Sequence, residues 1–150
     1  MGSYADDALF MSRNNIEYVE LISDDGKSKV MVIPAWQGRV MTTSAAGDEG
    51  DSYGWINYSF IKKRQIDLQF NPVGGEERFW LGPEGGVFSL YFRQGEKQIY
   101  KNWKVPPVLD IEAFKIQSQS KNCICLTKEG CLTNCLLYTS PSPRDKRQSR

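Results

Sequence analysis

The sequence predicts an antiparallel all-β protein, a sandwich or barrel, with one short N-terminal helix. Three observations predict it. Eight short runs alternate polar and apolar residues or concentrate β-branched and aromatic ones, with turn residues between them. A single stretch, residues 4–13, carries helix signals. No strand–helix–strand alternation appears, so a parallel sheet covered by helices is not expected.

In residues 4–13 (Y-A-D-D-A-L-F-M-S-R) acids occupy the first turn, where they favour a helix start, and Leu9 and Phe10 are expected to pack inward. Residues 17–23 alternate as a first strand. Asp24, Asp25 and Gly26 follow as a hairpin turn, because D-G supplies the positive φ of a tight hairpin. Residues 28–33 form the return strand, which Pro34 ends, and residues 38–44 a third strand. Residues 45–53 (A-A-G-D-E-G-D-S-Y) are an acidic loop. Its carboxylates suit calcium, but they lack the spacing of an EF-hand, and a solvated loop accounts for them. Residues 54–60 (G-W-I-N-Y-S-F) are aromatic and β-prone. The basic run Lys62, Lys63 and Arg64 reads as an exposed turn. Residues 66–70 (I-D-L-Q-F) alternate strictly, as a half-buried strand does, and residues 87–92 (V-F-S-L-Y-F) are strongly β-prone. Residues 94–107 are a long connection. Residues 111–116 and 122–127 are the last two strands, joined by a polar turn at 117–121.

Composition bounds the function. A chain of 150 residues is one domain's worth. Lys+Arg is 19 and Asp+Glu is 18, so no electrostatic case exists for nucleic acid or an anionic membrane. No apolar run approaches the roughly 20 residues of a membrane span. The N-terminus M-G-S-Y-A-D-D carries acids where a signal peptide needs positive charge. A cytoplasmic location is therefore the default, with a periplasmic one if an upstream start is missing. Histidine is absent, which removes the commonest general base and a common metal ligand. Cys123, Cys125, Cys131 and Cys135 form C-x-C-x5-C-x3-C, which matches no paired zinc spacing. They read as strand cysteines, with Cys123 and Cys125 on one face. No cofactor is expected and no metal site is assigned. The G-x-G-x-x-G, P-loop and G-x-S-x-G patterns are all absent.

From Cys135 the composition changes to C-L-L-Y-T-S-P-S-P-R-D-K-R-Q-S-R. This tail resembles one reading frame of a transposase-type sequencing adapter. The resemblance implies a metagenomic fragment whose native coding sequence ends near Asn134. It divides the chain into a partial domain at 1–134 and a non-native, loosely packed tail at 135–150.

The stretch that stands out most is residues 74–86, G-G-E-E-R-F-W-L-G-P-E-G-G, where two glycine pairs bracket acids, an arginine and aromatics. With Q-G-R-V-M-T-T-S (37–44), G-D-E-G (47–50), G-W-I-N-Y (54–58), N-W (102–103) and D-I-E-A-F (110–114), it makes the chain resemble an uncharacterised bacterial family of aldose-1-epimerase-like, galactose-mutarotase-like proteins. The resemblance implies an antiparallel β-sandwich that is the N-terminal part of a supersandwich, a sugar-sized ligand on a concave sheet face, and a missing C-terminal half. A chain so truncated is expected to be inactive alone and poorly soluble. The histidine and glutamate pair of the epimerases cannot be completed here, so enzyme status stays open.

The residues themselves give candidates. Glu76, Glu77 and Glu84 are candidate acid/base carboxylates, since glycosidases flank the scissile bond with two of them. On a strand, Glu76 and Arg78 share a face and are expected to pair. A structural ion pair beside a tightly turned loop is the favoured alternative. Arg39 could clamp a carboxylate or a pair of hydroxyls bidentately. Trp55, Trp80 and Trp103 are candidate stacking platforms, as is Trp36, and core packing is the alternative for each. Asn57 and Arg78 complete the ligand-binding set, with Tyr58, Asn102 and Asp110 weaker. The expected partner is a carbohydrate or other sugar-sized ligand, with no nucleic acid and no membrane. The oligomeric state is not legible. The alternatives are a non-catalytic structural or interaction module, and a metal-dependent hydrolase or lyase that rests on the acidic loop alone.

Overall fold

A computed structural model describes residues 2–134. The tail at 136–150 and Cys135 lie outside the described residues. The first helix starts on a reciprocal cap: Asp6 N donates to Ser3 Oγ (3.2 Å) and Ser3 N to Asp6 Oδ2 (3.0 Å). Two otherwise orphaned N–H groups are thereby satisfied, and α1 runs Tyr4–Arg13, the expected span. Its buried face differs from the expected one. Tyr4, Asp7 and Met11 are buried at helical spacing, while Leu9 is 48% exposed. Phe10 does pack on the core.

Strands β1 (Val19–Ile22), β2 (Lys29–Ile33) and β3 (Arg39–Ser44) form an antiparallel meander in that order. The β1–β2 connection covers residues 23–28 and is looser than a two-residue hairpin. Gly26 takes φ 74°, and Asp25 Oδ1 accepts from Ser23 Oγ (2.6 Å) and Lys27 N (3.0 Å). Pro34 ends β2 and opens a 3-10 turn, Pro34–Trp36. Gln37 and Gly38, both at positive φ, then swing the chain into β3. Tyr4, Met11, Met31, Ile33, Met41, Ile56, Ile61 and Val73 form the core against this sheet.

Three expected strands are absent. In residues 54–60 only Ile56 bridges, to Gly74, and α2 (Tyr58–Lys62) follows. Asn57 is the reason: its Oδ1 accepts from Phe60 N (3.2 Å), capping the helix against the β preference of the aromatic run. At residues 66–70, Ile66 is 67% and Leu68 79% exposed. There Asp67 N donates to Asn71 Oδ1 (2.9 Å), Gln69 N to Asp67 Oδ1 (2.7 Å) and Asn71 Nδ2 to Asp67 O (2.7 Å). Side chains take the groups that a ladder would use. In residues 87–92, Ser89 does the same: its Oγ donates to Glu84 O (2.7 Å) and accepts from Tyr91 N (3.1 Å).

A second core gathers Tyr91, Val105 and Leu109, with Phe70, Trp80, Leu81 and Trp103 among its surroundings. A 3-10 turn at Tyr100–Asn102 and the short helix α3 (Pro107–Asp110) lead to β4 (Lys115–Gln119) and β5 (Ile124–Thr127), an antiparallel pair. These two strands begin later than expected, and their turn falls at 120–123. Cys125 lies on β5 and Cys123 just before it; Cys123, Cys125 and Cys131 are free and exposed. The architecture is β-rich, with two antiparallel sheets and a few short helices. Among the described residues, no helix is long and apolar enough to cross a membrane.

Candidate functional site

The glycines of residues 74–86 set its path. A Cβ on Gly74 (φ 96°) would lie 2.1 Å from Trp55 O, and one on Gly75 (φ 112°) 2.9 Å from Arg39 Cδ. Only glycine permits this approach and these angles. The chain then runs along β3: Glu76 N donates to Val40 O (2.9 Å) and Val40 N to Glu77 O (3.0 Å). The expected Glu76–Arg78 pair does not form. Glu76 Oε1 accepts from Thr43 Oγ1 (3.0 Å) instead. Arg78 Nη2 reaches Leu109 O (2.6 Å) and Asp110 Oδ1 (3.3 Å), because the segment leaves β3 just there and crosses to α3.

Beyond Arg78 the side chains form a column. The Arg78 guanidinium lies 4.2 Å from the centre of the Trp80 ring, a cation–π contact. Trp80 stacks on Tyr91 (5.1 Å), Tyr91 on Trp103 (5.7 Å) and Trp103 on Tyr100 (6.2 Å), while Phe70 sets its edge against both tryptophans. Trp80 Nε1 donates to Glu84 Oε1 (2.8 Å), so the carboxylate is fixed beside the column. The column opens on a cavity of about 350 Å³ lined by Glu84, Phe92, Gln98, Ile99, Tyr100 and Trp103. Tyr100, at its edge, is 75% exposed. The Gln98 amide bonds Gly86 in both directions, donating to its O (2.8 Å) and accepting from its N (2.7 Å).

Two arginines, Arg39 and Arg78, interact with one carboxylate, Asp110. Arg39 is buried and donates Nη1 to Gly74 O (2.6 Å). Burial holds its pKa down at about 10; the Arg78 charge adds to this and Asp110 opposes it. Burial also lowers Arg78, against the pull of Asp110. The Nε atoms of both arginines are buried without a hydrogen-bond partner among the described residues. Asp110 is shared between these charges, and its Oδ2 also accepts from Asn71 N (2.8 Å) and Nδ2 (2.7 Å). Tyr91 is pushed up to about 12, by burial first and then by the charge of Glu84.

The fold thus brings Arg78, Trp80, Glu84 and Trp103 into one assembly, with Asp110 bonded to Arg78, and leaves the other candidates elsewhere. Glu76 and Glu77 lie on the edge of β3. Trp55 is 65% exposed, and its backbone O accepts from Gly75 N (2.8 Å). Asn57 caps α2 and donates Nδ2 to Pro72 O (2.9 Å), and Arg39 is inside. Trp36 packs on the first core, Asn102 donates to Lys97 O (2.9 Å) and Tyr58 OH donates to the buried Asp7. In the acidic loop, Asp48 Oδ1 is 2.6 Å from Lys29 Nζ, which Glu20 also holds at 3.2 Å. No group of three or more acidic or cysteine side chains able to hold a metal occurs among the described residues.

The sequence reading omits Tyr91, Tyr100 and Gln98. One signal for Tyr100 was present: Y-K-N-W sets it three residues before Trp103, and a 3-10 turn eclipses side chains at that spacing.

Sheet pairing, short helices and an aromatic column beside a cavity define a β-rich domain with a ligand-sized recess. The chain belongs to the family described as a family of unknown function, DUF6786, whose pattern it matches over residues 2–139. No curated protein and no solved structure matches the chain.

Proposed function

We propose that this chain is a carbohydrate-binding protein of the galactose-mutarotase-like kind, holding a sugar ring against Tyr100, which Trp103 backs, beside Glu84. The observation that carries the reading is the aromatic column ending in an open cavity with one fixed carboxylate. An aromatic face offers an apolar platform to the C–H face of a sugar. Glu84 accepts hydroxyl hydrogens from the same side. Its tie to Trp80 removes much of the rotamer freedom that binding would otherwise cost. Glycoside hydrolysis needs a second carboxylate across the bond, at about 5 to 9.5 Å. Among the described residues, Glu84 is the one carboxylate lining this cavity, so binding is favoured over bond cleavage.

Calorimetric titration of the chain with a panel of mono- and oligosaccharides tests this. Tyr100→Ala removes an exposed ring and is expected to weaken binding about three- to tenfold, as for the loss of one ring contact. Glu84→Gln keeps an acceptor for Trp80 and removes the charge; about a tenfold loss is expected. Unchanged affinity in both variants would remove the site. The alternative, a non-catalytic interaction module, draws on the exposed apolar side chain Ile99 (52%), which lines the same cavity, and on the exposed Phe88 (58%). Sugar titrations that show no heat at all would favour it.

A further inference from the structure

A second cavity, of about 270 Å³, lies against the first core and shares no lining residue with the first cavity. We infer that it binds a small organic anion with an apolar body, such as an aryl carboxylate. Its walls are Ile16, Trp36, Phe60, Val73 and Ile111. Asn14, Gln65, Asn71 and Asp110 form its uncharged and acidic polar part, and Arg64 stands among its lining residues. The volume suits one aromatic ring and a short arm. Apolar walls with a few placed polar groups are the usual make-up of a small-molecule site.

Charge selects the anion. The two oxygens of Asp110 already receive N–H groups from Asn71 and Arg78, so the carboxylate does not call for a ligand donor. Arg78 and Arg39 stand behind it and more than cancel its charge. Arg64 is exposed and makes no ion pair among the described residues. Lys62 and Lys63 precede it in the exposed basic run, of which Arg64 alone lines this cavity. A guanidinium here offers a carboxylate a bidentate partner.

The backbone adds an independent observation. Arg64 takes φ 51°, and its N donates to Ile61 O (3.1 Å) as α2 ends. That left-handed position after a helix usually belongs to glycine. An arginine here carries strain that glycine would not, and strain beside a cavity points to use of the side chain.

The test titrates the full chain with indole-3-acetate and with tryptamine, which share a ring and differ in charge. Calorimetry gives affinity, and backbone amide NMR gives location. Indole-3-acetate is expected to bind at least tenfold more tightly and to shift the amides of Asn71, Val73 and Ile111. Arg64→Gly is expected to raise the melting temperature while weakening indole-3-acetate about tenfold, and Arg64→Lys to retain most of the binding. Sugar binding at the other cavity should be unaffected by either variant. Equal binding of the two probes, binding of neither, or full affinity in Arg64→Gly would overturn the inference.

Discussion

Residues 4–62 and residues 66–110 solve the same problem in different ways. In the first region the backbone groups pair with one another, in α1 and the β1–β2–β3 meander, over a core of Met31, Ile33 and Met41. In the second there is little ladder. Side chains of Asp67, Asn71, Ser89, Gln98 and Asn102 hold the backbone, and a column of rings fills the interior. A ladder tolerates many side chains, because its bonds are made by the backbone. A side-chain-held region depends on each residue by identity, since an unpaired buried polar group costs free energy. Such loops also leave recesses that regular packing would close, and both cavities described above border this region.

The sharpest way to break that comparison is to remove the centre of each region in turn. Tyr91 is 1% exposed and stacks between two tryptophans, so Tyr91→Ala should cost about 3–5 kcal/mol. Hydrogen exchange should then show protection lost first in residues 66–110, with β1–β3 still protected. Met41→Ala, at a fully buried site in the meander, should cost about 2–5 kcal/mol and release both regions. Equal loss of protection everywhere in Tyr91→Ala would show a single cooperative unit, and the contrast would fail.

A smaller effect tests how the first region holds its own loop. Asp7 is buried and accepts from Ser52 Oγ and Tyr58 OH, and Ser52 Oγ lies 2.5 Å from Thr42 Oγ1. Asp7→Asn presents one acceptor where two are used. It should lower stability by roughly 1–3 kcal/mol in urea melts with an unchanged slope. A shift within error would mean that the backbone alone carries residues 45–57.

The smallest effect is a pH dependence. Burial, with the hydrogen bond to Asp7 second, pushes Tyr58 up to about 12 from its ordinary 10.0. The folded phenol keeps its proton where the unfolded one loses it. The stability from this group is therefore fully present below about pH 10 and is lost as pH rises toward about 12. Comparing denaturation midpoints near about pH 9 and about pH 11, Tyr58→Phe should show a shallower alkaline decline than the parent. Identical declines would count against any role of this phenol. The effect is modest because Tyr58 is 40% exposed, where solvent screens the interaction.

The legible part of this protein was the part with local causes. The span of α1, the glycine turn at Gly26, the stop at Pro34 and the strand beginning at Arg39 each follow from a few adjacent residues. The runs at 54–60, 66–70 and 87–92 were equally β-prone, yet a strand also needs a neighbouring edge. Asn57, Asp67, Asn71 and Ser89 offered the backbone nearer partners. The candidate site divides the same way. Arg78, Trp80, Glu84 and Trp103 stand out as residue types, and the sequence by itself determined that aromatic and charged groups would meet on a β-rich scaffold. Only the tertiary structure decided that Tyr91 sits between the two tryptophans, that Tyr100 extends the column and that Arg78 answers to Asp110 rather than Glu76. Those contacts join positions 78 to 110 with no period of strand or helix to announce them, and stacking depends on where the turns place each ring.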